Sequence, residues 1–318
     1  MKGTVYKSTG SWYQVKADDG RFFQCRIKGK FRIKGIKSTN PVAVGDRVEF
    51  KLEEKSEEEQ NGVITGIEER ENYIIRKSVN LSKQTHIIAS NIDQAFLLVT
   101  LNNPPTFTTF IDRFLVTAEA YHIKAILLFN KIDTYKPEEL DEVKYLAAMY
   151  RQIGYECIGI SAKTGKNVEQ VKELMKGKTS MISGHSGTGK STLINVIEPK
   201  LDLKTTQISE QHRQGQHTTT FAEMFDLDFG ARIIDTPGIK GFGVVDIEKE
   251  ELGDYFPEFL ALKPECKFYN CLHLEEPKCA VKDALEAGEI PWSRYKSYLQ
   301  ILKGEDEQNY RFDNHQPE

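Results

Sequence analysis

The run Gly184-His185-Ser186-Gly187-Thr188-Gly189-Lys190-Ser191 has the spacing G-x-x-x-x-G-K-[ST], which suits a polyphosphate. Its glycines let backbone N–H groups close around phosphate oxygens. Lys190 brings a cation to the β- and γ-phosphates, and the Ser191 hydroxyl is placed to ligate Mg²⁺ with Thr192 beside it. The flanks fit this reading. Thr179 to Ser183 predicts a short strand, and Ser191 to Ile197 predicts a helix stopped by Glu198-Pro199. A helix N-terminus adds partial positive charge to the same anion site.

Two further segments address the base. Asn130-Lys131-Ile132-Asp133 follows the apolar run Ile123 to Phe129. A carboxylate at Asp133 can accept both N1–H and N2–H₂ of guanine, whereas adenine would leave it unsatisfied. Asn130 would support the loop, and the Lys131 stem would cover the ring. Ser161-Ala162-Lys163, after the strand-like stretch Tyr155 to Ile160, can offer a backbone N–H to guanine O6. In an ordinary GTPase the phosphate loop precedes the base-reading segments. Here the order is Asn130–Asp133, Ser161–Lys163, Gly184–Ser191, a threonine-rich segment near 218, then Asp235-Thr-Pro-Gly238 in the switch II position. That order is a circular permutation, which an α/β domain tolerates when its old termini are close. Asp235 would contact the Mg²⁺ shell, and the Gly238 N–H would sense the γ-phosphate.

Near the C-terminus, Cys266, Cys271, His273 and Cys279 supply three thiolates and an imidazole within a short span. Cys₃His is a closed tetrahedral zinc set with no position left for water, so the expected metal is structural. Cys25 and Cys157 lack nearby partners and read as packing residues.

The permuted motif order together with the Cys266-x4-Cys271-x-His273-x5-Cys279 knuckle resembles the circularly permuted ribosome small subunit-dependent GTPase A family, over nearly the whole length. The resemblance implies an RNA-facing N-terminal domain of the OB type. It implies that the segment ending in His217-Thr-Thr-Thr220 is switch I, with Thr219 on Mg²⁺ and Thr218 as the alternative. It also implies a partner, the small ribosomal subunit and its 16S rRNA, with GTP hydrolysed to GDP during late assembly and release on hydrolysis. Ile239 stands where a Ras-type GTPase carries its water-orienting glutamine, and it cannot hydrogen-bond. His217 is the expected substitute, since an imidazole can orient water near neutral pH.

These sites need elements to hold them. The chain has 318 residues, 39% hydrophobic and 28% charged, which suits a multidomain globular protein. Its apolar runs, such as Ala125 to Phe129, are far too short for a membrane span, and no signal-like stretch follows Met1. We expect a cytoplasmic monomer with thiols or metal in place of disulfides. Net charge is only −4, yet residues 1–50 carry 11 Lys/Arg against 4 Asp/Glu. Arg26, Lys28, Lys30, Arg32 and Lys34 alternate as on one strand face, with Trp12, Tyr13, Phe22 and Phe23 on neighbouring strands. Val44 to Phe50 reads as a turn entering a strand, and Asn61-Gly62 as a hairpin turn. Five short strands suit an OB-type β-barrel. Charge alone leaves the basic strand open between a solvated face and an RNA surface, and the resemblance favours RNA.

The expected fold class is therefore three-part. An OB-type RNA-binding domain covers 1–72, and an α/β circularly permuted P-loop GTPase domain covers 73–245. A small, mainly helical zinc-binding domain covers 246–318. Residues 70–76 read as a connector, and Trp292, Tyr295, Tyr298 and Leu299 as an apolar stripe packed on the zinc module. Two other functions stay open: a nucleotide-gated RNA-binding module with incidental hydrolysis, and a P-loop kinase.

Overall fold

The structure is a computed structural model that describes residues 1–27, 41–53, 61–77, 85–201, 222–235 and 247–304. The chain forms two compact units, one of residues 1–96, 165–183 and 190–240, the other of 97–164, 184–189 and 241–318.

The first unit begins with strands β1 (Lys2–Ser8), β2 (Tyr13–Ala17), β3 (Phe22–Ile27), β4 (Arg47–Leu52) and β5 (Asn61–Ile67). Antiparallel β1–β2, β2–β3, β4–β5 and β1–β4 pairings, with parallel β3–β5, close them into a barrel. Period-two alternation drives this closure. Residues 13, 15 and 17 of β2 are buried while 14 and 16 are half-buried. Val5, Tyr13, Val15, Phe23, Cys25, Val48, Phe50 and Ile64 form the barrel core. Burial pushes the Cys25 thiol up to about 12, as expected of a packing cysteine.

Two local expectations fail here. Asn61-Gly62 is not a turn: Gly62 lies in β5, opposite both Cys25 and Leu52. The pairing of β5 with two neighbours overrides the local turn signal. The expected connector at 70–76 is largely strand β6 (Tyr73–Lys77), which pairs antiparallel with β7 (Thr85–Ser90). Trp12 and Phe22 are exposed, whereas Tyr13 and Phe23 join the core.

The rest of the first unit holds α3 (Val168–Met175), β11 (Thr179–Ser183), α4 (Lys190–Ile197), β12 (Glu223–Asp226) and β13 (Arg232–Asp235). β11 runs parallel to β13, β12 antiparallel to β13, and barrel strand β1 antiparallel to β12. The sheet carrying the phosphate-loop strand therefore continues into the barrel.

β8 (Gln94–Val99) runs from the first unit into the second. The second unit continues with α1 (Thr108–Ala120), β9 (Lys124–Phe129), α2 (Pro137–Ile153) and β10 (Glu156–Gly159), in the sheet order β10-β9-β8. β9 and β10 are parallel, and β9 is buried from Ala125 to Phe129. That arrangement explains an uninterrupted apolar run in place of alternation. Helix α2 starts at Pro137 and ends at Gly154 in the left-handed region, the expected helix punctuation.

Helices α5 (Pro257–Leu262), α6 (Ala280–Glu286) and α7 (Trp292–Lys303) complete the second unit. They share a core with α1, where Val116 meets Leu252, Phe256, Phe259 and Tyr298. Arg294 of α7 is fully buried between Asp112 of α1 and Glu258 of α5, each at 2.7 Å. Tyr150 also donates to Asp112, and Phe256 lies 4.5 Å beneath the guanidinium. A buried charge is tolerable only when it is paired.

Candidate functional site

The base-reading and phosphate-binding segments of the second unit meet at one side chain. Backbone pairing sets Asn130 at the end of β9, where its N–H donates to the Val99 carbonyl at 2.8 Å. Its Nδ2 donates to the Thr188 carbonyl at 2.8 Å, and its Oδ1 accepts from the Ala162 N–H at 2.9 Å. One amide thus ties the Asn130–Asp133 loop to both the Ser161–Lys163 loop and the phosphate loop. Asn130, Ser161, Ala162 and Thr188 are all buried. Each bond is therefore made where an unpaired group would be costly.

The glycines of the phosphate loop answer to this packing. Gly189 has φ +100, and a Cβ there would lie 2.4 Å from Asn130 Nδ2. Gly184 has φ +145, and its Cβ would meet the Leu98 carbonyl and the Thr188 hydroxyl at 2.9 Å. Only glycine fits both the backbone conformation and the space. Thr188 Oγ1 donates to the His185 carbonyl at 2.9 Å, and the His185 ring stacks on Phe110 with centroids 3.8 Å apart. Ser186 and Gly187 face solvent.

Lys131, at φ +67, donates through Nζ to the Asn103 carbonyl. Burial lowers its ammonium pKa, with Asp133 opposing the shift. Asp133 itself is exposed, Ile132 is half-buried beside Gly159, and Lys163 is exposed. An outward carboxylate at the end of a held loop is what a base-edge acceptor requires. Tyr135 was not foreseen. Its hydroxyl donates to the Asn130 carbonyl at 2.9 Å and accepts from the Leu101 N–H at 3.0 Å. The only trace in the sequence is an aromatic residue in an otherwise polar turn.

Within the first unit, Lys190 and Ser191 open α4, with Thr192 in the same turn. Burial drives the Lys190 ammonium down to about 8, with Asp235 at the end of β13 pulling it back up. An incoming phosphate would favour the charged form again. The remaining expected residues of this region, His217, Thr219 and Gly238, lie outside the described residues.

Of the basic strand, Arg26 ends up on β3, and its guanidinium pairs with Glu53 across the barrel surface. Lys28, Lys30, Arg32 and Lys34 lie outside the described residues.

In the second unit, Cys266, Cys271, His273 and Cys279 converge, with one ligand atom from each within 4.8 Å of the others. His273 Nδ1 stands 3.4 Å from Cys279 Sγ and 3.8 Å from Cys266 Sγ. A tetrahedron with metal–sulfur bonds of ~2.3 Å has edges of roughly 3.8 Å, so the cluster is already the right size for a metal. Outer contacts hold it in place. Tyr295 donates to the His273 carbonyl and Tyr298 to the Leu272 carbonyl, each at 2.6 Å. Glu276 accepts from the Leu272 and Leu274 N–H groups. The expected aromatic stripe is thus right for Tyr295 and Tyr298 and wrong for Trp292, which is 62% exposed at the first residue of α7.

Among the described residues no helix is long and apolar enough to cross a membrane.

The sequence model of the RsgA GTPase family matches residues 67–245, and that of the RsgA N-terminal domain matches residues 2–64. Small ribosomal subunit biogenesis GTPase RsgA of Christiangramia forsetii is 78% identical over 99% of this chain and 100% of its own. The protein of the same name from Flavobacterium johnsoniae is 67% identical over 98% of this chain and 96% of its own. Among solved structures, YjeQ from Thermotoga maritima is 36% identical with a TM-score of 0.75, covering 95% of this chain and 97% of that one. YloQ, described as a circularly permuted GTPase, is 31% identical with a TM-score of 0.74, covering 96% and 95%.

Proposed function

Because this chain belongs to the RsgA GTPase family, we propose that it hydrolyses GTP while bound to the small ribosomal subunit, acts late in that subunit's assembly, and leaves on hydrolysis. The observation that carries the reading is the Asn130 joint. A single amide holds the guanine loop against the phosphate loop in a chain whose motif order is permuted.

The residue roles follow from position. Asp133 accepts the guanine N1–H and N2–H₂, and the backbone of Ser161–Lys163 meets O6. The amides of Gly184 to Gly189 surround the β-phosphate, and Lys190 bridges to the γ-phosphate. Ser191 and Thr219 would hold Mg²⁺, with Asp235 in its outer shell, and the ion would neutralise charge developing between the phosphates. His217 orients the attacking water in place of the glutamine that Ile239 displaces, and Gly238 senses the γ-phosphate.

The Cys₃His cluster is a zinc site with a closed ligand set and a purely structural role. Three parts divide the work: a barrel over 1–72 that faces 16S rRNA with Arg26, Lys28, Lys30, Arg32 and Lys34, a GTPase part over 73–245, and a zinc-holding part over 246–318. The protein acts as a monomer in the cytoplasm.

Co-sedimentation with purified small subunits tests the cycle. The chain should pellet with subunits in a non-hydrolysable GTP analogue and stay in the supernatant with GDP. Equal pelleting in both nucleotides would contradict release on hydrolysis.

A further inference from the structure

The barrel does more than sit beside the GTPase machinery. Its first strand is hydrogen-bonded to β12, the strand between the two segments that read as switches. Lys7 of β1 stands opposite Glu223 of β12, and Glu223 stands opposite Asp235 of β13. These three residues lie in one row across the sheet. Asp235 ends the strand that leads into the Asp235-Thr-Pro-Gly238 segment, and its charge acts on Lys190.

Side chains reinforce that row. Lys7 Nζ pairs with Glu223 at 2.9 Å. At the far end of β12, Asp226 receives two barrel donors on separate oxygens: Tyr6 hydroxyl on Oδ1 at 2.7 Å and Lys16 Nζ on Oδ2 at 2.5 Å. Tyr6 is 6% exposed, and its ring meets Phe22 edge-on at 5.4 Å. Lys16 lies 5.5 Å from the centre of the Tyr6 ring and 5.7 Å from that of Phe22. Across the sheet Asp226 stands opposite Arg232 of β13. The ion pairs are half-exposed and individually weak. The buried tyrosine is the specific element, because its hydroxyl has to be matched by an acceptor.

We propose that Asp226 is a positioning residue through which the barrel and the GTP site sense each other. Tyr6 and Lys16 fix Asp226, Asp226 fixes β12 against β1, and β12 fixes the register of β13 and hence Asp235. A load on the barrel shifts this hairpin, and a nucleotide acting on Asp235 shifts the barrel by the same coupling free energy, because linkage is reciprocal. The inference rests on the ribosomal GTPase reading for its biological meaning and on the seam alone for its physics.

The test uses the full chain in four forms: wild type, Asp226→Ala, Tyr6→Phe and Asp228→Ala. Asp228 is an exposed residue two positions on, paired with Lys200, and serves as the control. Amide hydrogen exchange over Lys2–Ser8 and Tyr13–Ala17 is compared between GDP and a non-hydrolysable GTP analogue. The wild type and Asp228→Ala should show a nucleotide-dependent difference, and Asp226→Ala and Tyr6→Phe should lose it. Subunit-stimulated turnover should fall about tenfold in those two variants, within the usual range of coupling energies.

Identical exchange of the wild-type barrel in both nucleotides would overturn the proposal. So would a full difference surviving in Tyr6→Phe. If Asp226→Ala fails to fold, Tyr6→Phe decides, since it removes one hydroxyl and keeps the ring. The exchange measurement needs no ribosome. A wild type that small subunits do not stimulate would count against the ribosomal reading and leave the seam to be judged by exchange.

Discussion

Asn130 donates its side-chain amide to the Thr188 carbonyl at 2.8 Å, across 58 residues of chain. The base-reading loop and the phosphate loop are thereby tied together, with one base-reading segment, Ser161–Lys163, between them in this permuted order. Asn130→Ala would leave the Thr188 carbonyl and the Ala162 N–H without their partner in a buried site. Each buried unsatisfied group costs about 1–3 kcal/mol. GDP affinity, measured by fluorescence of a labelled nucleotide, should fall by at least about tenfold. Unchanged affinity would mean that the loops are held by other contacts.

Asp133 is exposed at the tip of the loop that Asn130 anchors. Its carboxylate suits two donors on guanine, and an amide suits the donor and carbonyl of xanthine. Asp133→Asn should therefore lose GTP and gain xanthosine triphosphate, which competition binding reads directly. Wild-type binding of ATP as tight as that of GTP would contradict the assignment.

Lys190 gives the site a pH dependence of known sign. Burial lowers its pKa to about 8 in the free chain, and Asp235 opposes that shift. Phosphate favours the protonated form, so binding takes up a proton wherever free Lys190 is neutral. GDP affinity should be level below pH 8 and fall above it by up to about tenfold per pH unit. Asp235→Asn should move the break to lower pH, since it removes the group holding the ammonium up. A flat profile from pH 7 to 9.5 would mean that Lys190 does not meet the phosphate.

The metal cluster makes a prediction about folding. Ligand convergence, with outer contacts from Tyr295, Tyr298 and Glu276, implies that metal and local fold are coupled. Elemental analysis should find one zinc per chain. Cys271→Ser should lose it, with loss of small-subunit binding and retention of nucleotide binding. Three freely reactive thiols, at Cys266, Cys271 and Cys279, in a folded, metal-free C-terminal segment would defeat the zinc assignment.

The parts legible in the sequence are those where chemistry fixes residue type at short range. Gly184 to Ser191, Asn130 to Asp133 and the Cys266–Cys279 knuckle each carry their spacing locally. The strands and helices around them follow from apolar runs and from stops such as Glu198-Pro199 and Gly154. What could not be read depends on partners far along the chain. Tyr6 meets Asp226 across 220 residues, and Arg294 meets Asp112 across 182. Neither pair leaves a local pattern. Asn61-Gly62 misled for the same reason: a strong turn signal was overruled by two strands, β3 and β4, that pair with it from elsewhere. Trp292 misled through helix periodicity, which assigns a face without saying where the covering layer ends.

GTP turnover measured with and without purified small ribosomal subunits tests the central claim most directly. The account predicts slow turnover by the free chain and a large stimulation by subunits. It also predicts that His217→Ala lowers the stimulated rate by roughly 10²–10⁴-fold while binding GTP nearly as well. Turnover that small subunits leave unchanged in the wild type would contradict it.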